Sequence, residues 1–561
     1  YASYDFTEDL KFTTRVSSQF QHRKRSRYQG LLSHRAGVTQ LDIDNQSKIT
    51  VTTDNFLSYN KSIDKHDFGA VIGMNSEQSK IEFSTARGTG YQFDYVQTLD
   101  AATVLASAAS YQLEESLLSY FGRVNYAYDG KYLASVSYRR DGSSRFGEDV
   151  KFGNFTAFSL GWRISEEEFM ENNELFSSLK ARFSYGLTGN NNLDTRALMV
   201  DYYPSLALLS PSTATTEGGG TGTGFNPLNI ANPNLQWERS VEFNPGIDFG
   251  IFGGAISGSI DYYNRTSDQL LLSNPVSYTT GFAEALVNIG TVENKGYEVE
   301  LRSKNITKDN FKWSTTLLAS MNKNNLVDFA ESDGQIKNVD SKRAAEWINS
   351  VGNPISSFYG WVVDKDIPLE YLSNPFHPIG AEAQDVYVKD LNGDGIIDDE
   401  DKAILGNPYP DLVWSITNDF KFGNIDLNFI FQGSHGAEVR NMGDQYLFNQ
   451  FNSGQDFISS TPNQEFIKQK IFTNDIIQDA SYIALRTINL GYNIPQKLVS
   501  KYGLSKMRIY ATGQNLIYIT ADDYTGYNPE SIYETDATTF GYQRAGSPIQ
   551  KTVSVGLNLE F

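Results

Sequence analysis

The sequence predicts an all-β fold, a transmembrane antiparallel β-barrel. Three observations predict it. Apolar and polar residues alternate with period two from end to end. The links between alternating segments are long and short in strict turn. Aromatic residues are plentiful, with 33 Tyr and 35 Phe, and could supply the girdles that flank a bilayer.

The alternation is clearest in four segments. Phe155 to Ile164 sets Phe158, Leu160, Trp162 and Ile164 against Ala157, Ser159, Gly161 and Arg163. Val241 to Ile251 sets Val241, Phe243, Ile247, Phe249 and Ile251 against Glu242, Asn244, Gly246, Asp248 and Gly250. Ile425 to Gln432 sets Ile425, Leu427, Phe429 and Phe431 against Asp426, Asn428 and Gln432. The last segment sets Val553, Val555, Leu557, Leu559 and Phe561 against Ser554, Gly556, Asn558 and Glu560. In all, about sixteen strands are expected, each near the ~9–11 residues that cross a bilayer at a tilt.

The links sharpen this reading. Long ones are expected at 24–45, 80–112, 141–153, 188–235, 268–288, 329–410, 437–480 and 519–548. Short ones are expected at 61–63, 129–130, 165–177, 252–254, 304–309, 423–424 and 494–504. Asp129-Gly130, Gly253-Gly254 and Gly423-Asn424 suit the positive φ of tight hairpins. The stretch from Ser165 to Phe176 reads as a short acidic helix with Ser165 as its N-cap. Outer-membrane barrels keep periplasmic turns short and extracellular loops long. A soluble sandwich has no reason to keep every second loop long.

The bulk numbers exclude several classes. Formal net charge is −20, which repels phosphate backbones and makes nucleic acid a poor partner. There is no Cys, so no disulfide framework and no thiolate chemistry exist. Five His, at 22, 34, 66, 377 and 435, sit in unrelated contexts, so no catalytic triad or multi-His metal centre is expected. Mean hydropathy is −0.41 and no run of eighteen apolar residues occurs, which excludes a helical span but not a barrel. Tyr1 to Phe6 has neither a basic n-region nor an apolar h-region. A leader is therefore expected to have been cleaved, or the chain to begin inside a longer protein.

The sharpest local motif is Asp390-Leu-Asn392-Gly-Asp394-Gly395-Ile396-Ile-Asp398-Asp-Glu-Asp401. It fits an EF-hand-like loop within a large extracellular loop at 329–410. Oxygen donors fall at positions 1, 3 and 5, Gly at 6, the Ile396 carbonyl at 7, Asp398 at 9 and Asp401 at 12. Such spacing can wrap a structural Ca²⁺, in preference to Mg²⁺. Asp at position 12 has a shorter arm than the usual Glu, and a solvated acidic turn is the bland alternative.

Other candidates are weaker. Gly218–Gly224 lacks the P-loop Lys-Ser/Thr and reads as a loop, not a phosphate cradle. Arg139, Arg140 and Arg145 around Asp141-Gly142-Ser143 read as loop anchors before an acidic-substrate site. Tyr202, Tyr203, Tyr359, Trp361, Asn449, Gln450, Tyr524 and Tyr527 fall in expected loops, where they could contact substrate or pack the loops together.

Several strings resemble the SusC/RagA-like TonB-dependent transporters. They are Tyr120-Phe-Gly-Arg-Val-Asn-Tyr-Ala-Tyr-Asp-Gly-Lys-Tyr132 with Tyr138-Arg-Arg-Asp-Gly-Ser-Ser-Arg-Phe146, and Leu179-Lys-Ala-Arg-Phe-Ser-Tyr-Gly-Leu-Thr-Gly-Asn190. Asn232-Pro-Asn-Leu-Gln-Trp-Glu238 leads to Asp261-Tyr-Tyr-Asn264 and Asn294-Lys-Gly-Tyr-Glu-Val-Glu300. Asp390–Gly395 is followed by Gly406-Asn-Pro-Tyr-Pro410, and Arg508–Asn515 by a terminal aromatic.

The resemblance implies a 22-stranded barrel around an N-terminal plug. It implies import of glycans or peptides with a SusD-like surface lipoprotein, energised by TonB–ExbB–ExbD, in contact with outer-membrane lipid, and no enzymatic role. On that pattern the plug, the TonB box and about six strands would lie upstream of Tyr1. A passive porin and a structural subunit of a larger outer-membrane assembly are the competing readings.

Overall fold

The computed structural model describes residues 1–32, 38–193, 198–215, 221–329, 333–340, 345–366, 386–441, 457–458, 472–533, 537–543 and 546–561. Seventeen strands form one large antiparallel sheet. They are β1 (Ala2–Asp5), β2 (Leu10–Gln29), β3 (Gln40–Ile63), β4 (His66–Thr89), β5 (Val104–Tyr128), β6 (Tyr132–Ser143), β7 (Phe152–Arg163), β8 (Phe176–Asn190) and β9 (Glu238–Ile251). β10 (Ile256–Asp268), β11 (Thr291–Lys308), β12 (Phe311–Asp328), β13 (Leu412–Phe422), β14 (Ile425–His435), β15 (Tyr482–Asn493), β16 (Lys506–Thr520) and β17 (Thr552–Glu560) complete it. Among the described residues no helix is long and apolar enough to cross a membrane, which says nothing against a barrel.

Cross-strand rows show why the alternation forms a wall. One row runs Phe311–Phe422–Ile425–Tyr492–Ile509–Leu557 through β12 to β17. A neighbouring row of opposite parity runs Ser314–Asp419–Asn428–Asn489–Thr512–Ser554. Successive side chains point to opposite faces, so one face is apolar and the other polar. The polar row bonds within itself: Asn428 Nδ2 donates to Asp419 at 2.7 Å, and Thr512 Oγ1 donates to Asn489 at 2.7 Å. The apolar face is left exposed, with Val555 at 77% and Val553 at 71%. Such exposure is costly in water and favourable in lipid. Rings cluster beside the short turns: Trp313 stacks on Phe420 at 5.4 Å, and Phe68 lies 5.0 Å from Tyr126.

The long–short rhythm of the links holds except around β7, where the link expected to be long, 144–151, is shorter than the link expected to be short, 164–175. Asp129 (φ 53°) with Gly130 (φ 65°), Gly253 (φ 64°) with Gly254 (φ 79°), and Gly423 (φ 55°) take the left-handed backbone that tight hairpins need. Four further details differ from expectation. The extra strand is β1, four residues paired with Lys11–Thr14. The link expected at 24–45 shrinks, because β2 and β3 stay paired up to Gln29↔Gln40. The link expected at 80–112 shrinks likewise, with β4 and β5 paired up to Thr89↔Val104. Beyond Phe20 the residues of β2 are mostly polar on both faces, so the alternation fades there while the hydrogen-bonded ladder continues.

The fourth of these is the acidic segment. It forms two separate 3₁₀ turns, Ile164–Glu166 and Glu168–Met170, not one helix. Ser165 lies inside the first turn and caps nothing; Arg163 and Glu167 take the cap positions. Trp162 Nε1 donates to Glu167 at 2.9 Å, and Asn173 Oδ1 accepts from Leu175 and Phe176, which turns the chain into β8 before a helix can extend.

The chain divides into two compact units. One comprises Tyr1–Gly161, Ser184–Val241 and Ser267–Ile289. The other comprises Trp162–Phe183, Glu242–Thr266 and Gly290–Phe561.

Candidate functional site

In the second unit the loops between β12 and β13, β14 and β15, and β16 and β17 fold together. Strands Gly334–Asp340, Ala345–Ser350, Ser357–Trp361 and Lys402–Gly406 make a four-stranded sheet. Glu438–Asn441 pairs antiparallel with Ile477–Asp479 and parallel with Tyr542–Gln543. Trp347, Phe358, Phe472 and Tyr542 form a core between them, each at most 2% exposed. Trp347 Nε1 donates to the Phe540 carbonyl at 3.0 Å, and Ser356 Oγ donates to the Ala537 carbonyl at 2.8 Å. Arg440 is fully buried, its guanidinium 5.1 Å from the Phe472 ring and 5.2 Å from the Tyr542 ring. The described parts of these loops therefore make a second packed layer rather than loose connections.

The Asp390–Asp401 loop belongs to this layer. Asp390 accepts the Gly393 N–H at 2.7 Å and the Gly395 N–H at 2.8 Å. Asn392 and Asp394 accept the N–H two residues on, at 2.9 and 2.7 Å. Asp401 is fully buried and ties both ends of the loop, accepting Leu391 N–H at 2.7 Å and Asp398 N–H at 3.0 Å. Asp398 caps the 3₁₀ turn Asp399–Asp401 by accepting the Glu400 N–H at 2.9 Å. Gly393 (φ 76°) and Gly395 (φ 81°) supply the two sharp reversals. Ile396 is exposed, while Ile397 packs against Trp361 and Val388. Among the described residues no three His, Cys, Asp or Glu side chains gather closely enough to hold a metal ion.

Charge is neutralised locally around this loop. Lys402 reaches both Glu346 and Asp399 at 2.9 Å and lies 5.6 Å from the Trp361 ring. Burial opposes its charge, but the two carboxylates prevail and hold the ammonium above its usual pKa. Glu438 goes the other way. Burial pushes its carboxyl up, the Asn407 N–H at 2.7 Å opposes, and the charges of Asp479, Asp411 and Asp523 add to the rise.

The sequence-predicted loop residues mostly turn out to pack. Tyr202, Trp361 and Tyr524 are buried, and Tyr359 is half-buried. Tyr203 Oη accepts the Glu114 N–H at 3.0 Å. Tyr527 stays 60% exposed. Asn449 and Gln450 lie outside the described residues, as do His34, His377 and Gly218 to Gly220 of the Gly-rich run. Residues 221–224 of that run form a strand paired with Ser212–Thr215, so this part is not a bare linker.

The arginine cluster is an anchor. Arg139 Nε donates to Asp141 at 2.6 and 2.9 Å, and Arg145 holds Glu115 at 2.6 Å and the Asn191 carbonyl at 3.1 Å. Arg140 covers the Phe152 ring at 4.9 Å. The Asn232–Glu238 string is likewise structural, with Leu235 and Trp237 in a core beside Phe146, Phe155, Leu193 and Leu286.

Sequence reasoning missed one polar cluster on the wall. Arg486 sits where the β15–β16 register shifts between Leu485 and Thr487, a bulge that re-aims its side chain. It pairs with Glu530 of the last loop and donates to Gln432 at 2.9 Å and to Tyr482 Oη at 3.0 Å. Tyr482 donates to Glu530 at 2.7 Å and stacks on Tyr518 at 5.1 Å. A lone Arg in a predicted strand, between Leu485 and Thr487, was the signal available.

An exposed apolar face, a polar opposite face and long packed loops on one side define a receptor or channel of the outer membrane. A family model of the TonB-dependent receptor-like β-barrel matches residues 1–362, and the chain belongs to that family. It is 30% identical over 596 residues to TonB-dependent receptor P3 of Formosa agariphila, covering all of this chain and 57% of that protein. It is 29% identical over 543 residues to SusC of Bacteroides thetaiotaomicron, covering 92% of this chain and 50% of SusC. The chain thus spans about half the length of these relatives. A structure of the RagAB peptide transporter superposes with a TM-score of 0.81 at 20% identity, over the whole chain and 61% of that one, and shares the fold. The chain is an outer-membrane β-barrel of the TonB-dependent receptor family, which is not enzymatic.

Proposed function

We propose that this chain is the barrel portion of an importer that takes up glycans or peptides together with a SusD-like surface lipoprotein and draws energy from TonB–ExbB–ExbD. The observation that carries it is the ordered match to SusC across 92% of the chain. The RagAB match adds support, since that protein is described as a peptide importer. Family membership favours this over a passive porin. The test is purification of the whole protein from outer membranes in mild detergent. A mass well above 62.7 kDa, a stoichiometric lipoprotein and uptake lost on TonB deletion are expected. Co-purification of secretion or assembly machinery without a lipoprotein would favour the structural-subunit reading instead.

We also propose that Asp390, Asn392, Asp394, the Ile396 carbonyl, Asp398 and Asp401, whose carboxylates stand apart in this structure, draw together around a structural Ca²⁺. Each carboxylate oxygen that accepts one N–H keeps a second lone pair for a hard cation. Asp390→Ala with Asp394→Ala is expected to abolish calcium-dependent exchange protection of residues 386–411. Protection unchanged by the variant and by chelator would end the metal reading.

A further inference from the structure

The polar face of the wall carries an apolar patch that its own pattern does not call for. Strands β11–β14 set Glu300, Leu318, Ser415 and Gln432 in one cross-strand row, and Glu298, Ser320, Val413 and Ser434 in the next. These rows share the face of Asp419 and Asn428, opposite the apolar face of Phe422 and Ile425. Alternation puts polar side chains on this face. Leu318 and Val413 break it, as does Ile430 one row below, and Leu318 is 45% exposed. The three line a cavity of about 510 Å³, a size usual for ligand sites. Val413 is the second residue of β13, so the cavity lies at the end of the wall that meets the long link from β12.

Charge marks one side of the same cavity. Asp261, Glu298 and Glu300 line it toward β10 and β11. Arg182 holds Asp261 at 3.0 Å, and Arg302 pairs with Glu300. Glu298 is exposed and has no ion pair among the described residues. At β14, Gln432 accepts from Arg486 Nε at 2.9 Å, which fixes its amide. Ser320 and Ser415 also line the cavity, and their hydroxyls have no partner among the described residues. No three carboxylates among the described residues gather closely enough to hold a metal ion. An unpaired carboxylate beside an apolar strip instead suits an organic cation on an alkyl stem. A cleft lined by one sign of charge also concentrates ions of the other sign.

We infer that this cavity receives a lysine or arginine side chain of a peptide cargo. The cationic head pairs with Glu298, and the methylene stem lies along Leu318, Val413 and Ile430. Ser320 and Ser415 bond the peptide groups on either side. A neutral sugar offers neither a charge for Glu298 nor a stem for the apolar strip. The inference rests on the import reading and selects peptides within it.

The experiment measures binding of a blocked alanine peptide with one central lysine to the whole detergent-solubilised protein. The same peptide with norleucine, which keeps the stem and lacks the charge, is the comparison, and maltoheptaose is the competitor. TonB-dependent uptake of the lysine peptide and of maltoheptaose by cells is measured alongside. Wild type is expected to prefer the lysine peptide about fivefold, the worth of one solvated ion pair. Glu298→Gln is expected to erase that preference while norleucine binding stays. Leu318→Ser is expected to weaken both peptides alike. Equal affinity for the two peptides in wild type overturns the proposal, and so does a preference that survives Glu298→Gln. Maltoheptaose taken up through TonB, with no lysine preference, overturns the proposal and leaves the import reading standing. A lysine preference that Glu298→Gln removes, with no TonB-dependent uptake of either cargo, supports the cavity assignment and overturns the import reading.

Discussion

Strands β2–β5 and strands β13–β17 solve the same problem by different means. The first group has 20 to 25 residues per strand, about 66–82 Å of ladder, far beyond what a bilayer needs. It extends from the membrane by main-chain pairing, and its tip is tied by side-chain-to-backbone bonds such as Leu31 N–H to Asp94 at 3.0 Å and Thr39 Oγ1 to the Tyr91 carbonyl at 3.0 Å. The second group has strands of 9 to 15 residues and puts its extra chain into loops with a buried aromatic core. Ladder stability is spread over many small increments. Core stability is concentrated in a few large side chains, which single substitutions can remove.

The largest test of that contrast is Trp347→Ala. Truncating a fully buried Trp costs about 3–5 kcal/mol. The expected result is faster hydrogen exchange across the described parts of 333–366, 436–441 and 537–543, with β3–β5 unchanged. Exchange that rises equally in β3–β5 would break the distinction. Next comes Arg486→Ala, which strips Glu530 of its cation and Tyr482 of a donor. Losing hydrogen bonds to a charged group costs about 1.5–3 kcal/mol. Loosening is expected at 521–533, and Glu530→Gln should add little to it in a double-mutant cycle.

A smaller effect is expected from pH. The Glu438 carboxyl titrates above its usual value in the folded layer, so the folded state binds the proton more readily than the unfolded one. Stability of this layer then rises as pH falls from neutral toward the ordinary glutamate range, and is lost again as pH climbs through the raised value. Exchange at 438–441 should slow on acidification, and Glu438→Gln should flatten the dependence. A flat profile in wild type would place Glu438 in water. The smallest effect belongs to Lys65→Ala. It removes an exposed pair with Asp129 at 2.8 Å between two hairpin turns, and no measurable change in thermal stability is expected.

Much of the wall was legible in the sequence because its period-two pattern is imposed by two solvents, lipid on one face and a polar interior on the other. Val553–Leu559, Ile425–Phe431 and the Asp129-Gly130 turn are examples in which each residue's neighbour in sequence already states its face. The expected helix from Ser165 to Phe176 failed because local bonds from Trp162 and Asn173 outweigh helix signals over so short a span. The loops were hardest. Tyr202, Trp361 and Tyr524 looked equally suited to contact substrate or to pack, and only burial separates those roles.

The sequence by itself determined the all-β class, the rhythm of short turns and long loops, and the backbone reversals at paired glycines and aspartates. These depend on residues two to four apart. Only the tertiary structure decided that Trp347 meets Tyr542 and that Arg486 meets Glu530. Those contacts join residues 195 and 44 positions apart, and their register follows from strand pairing and loop packing, which no local pattern encodes.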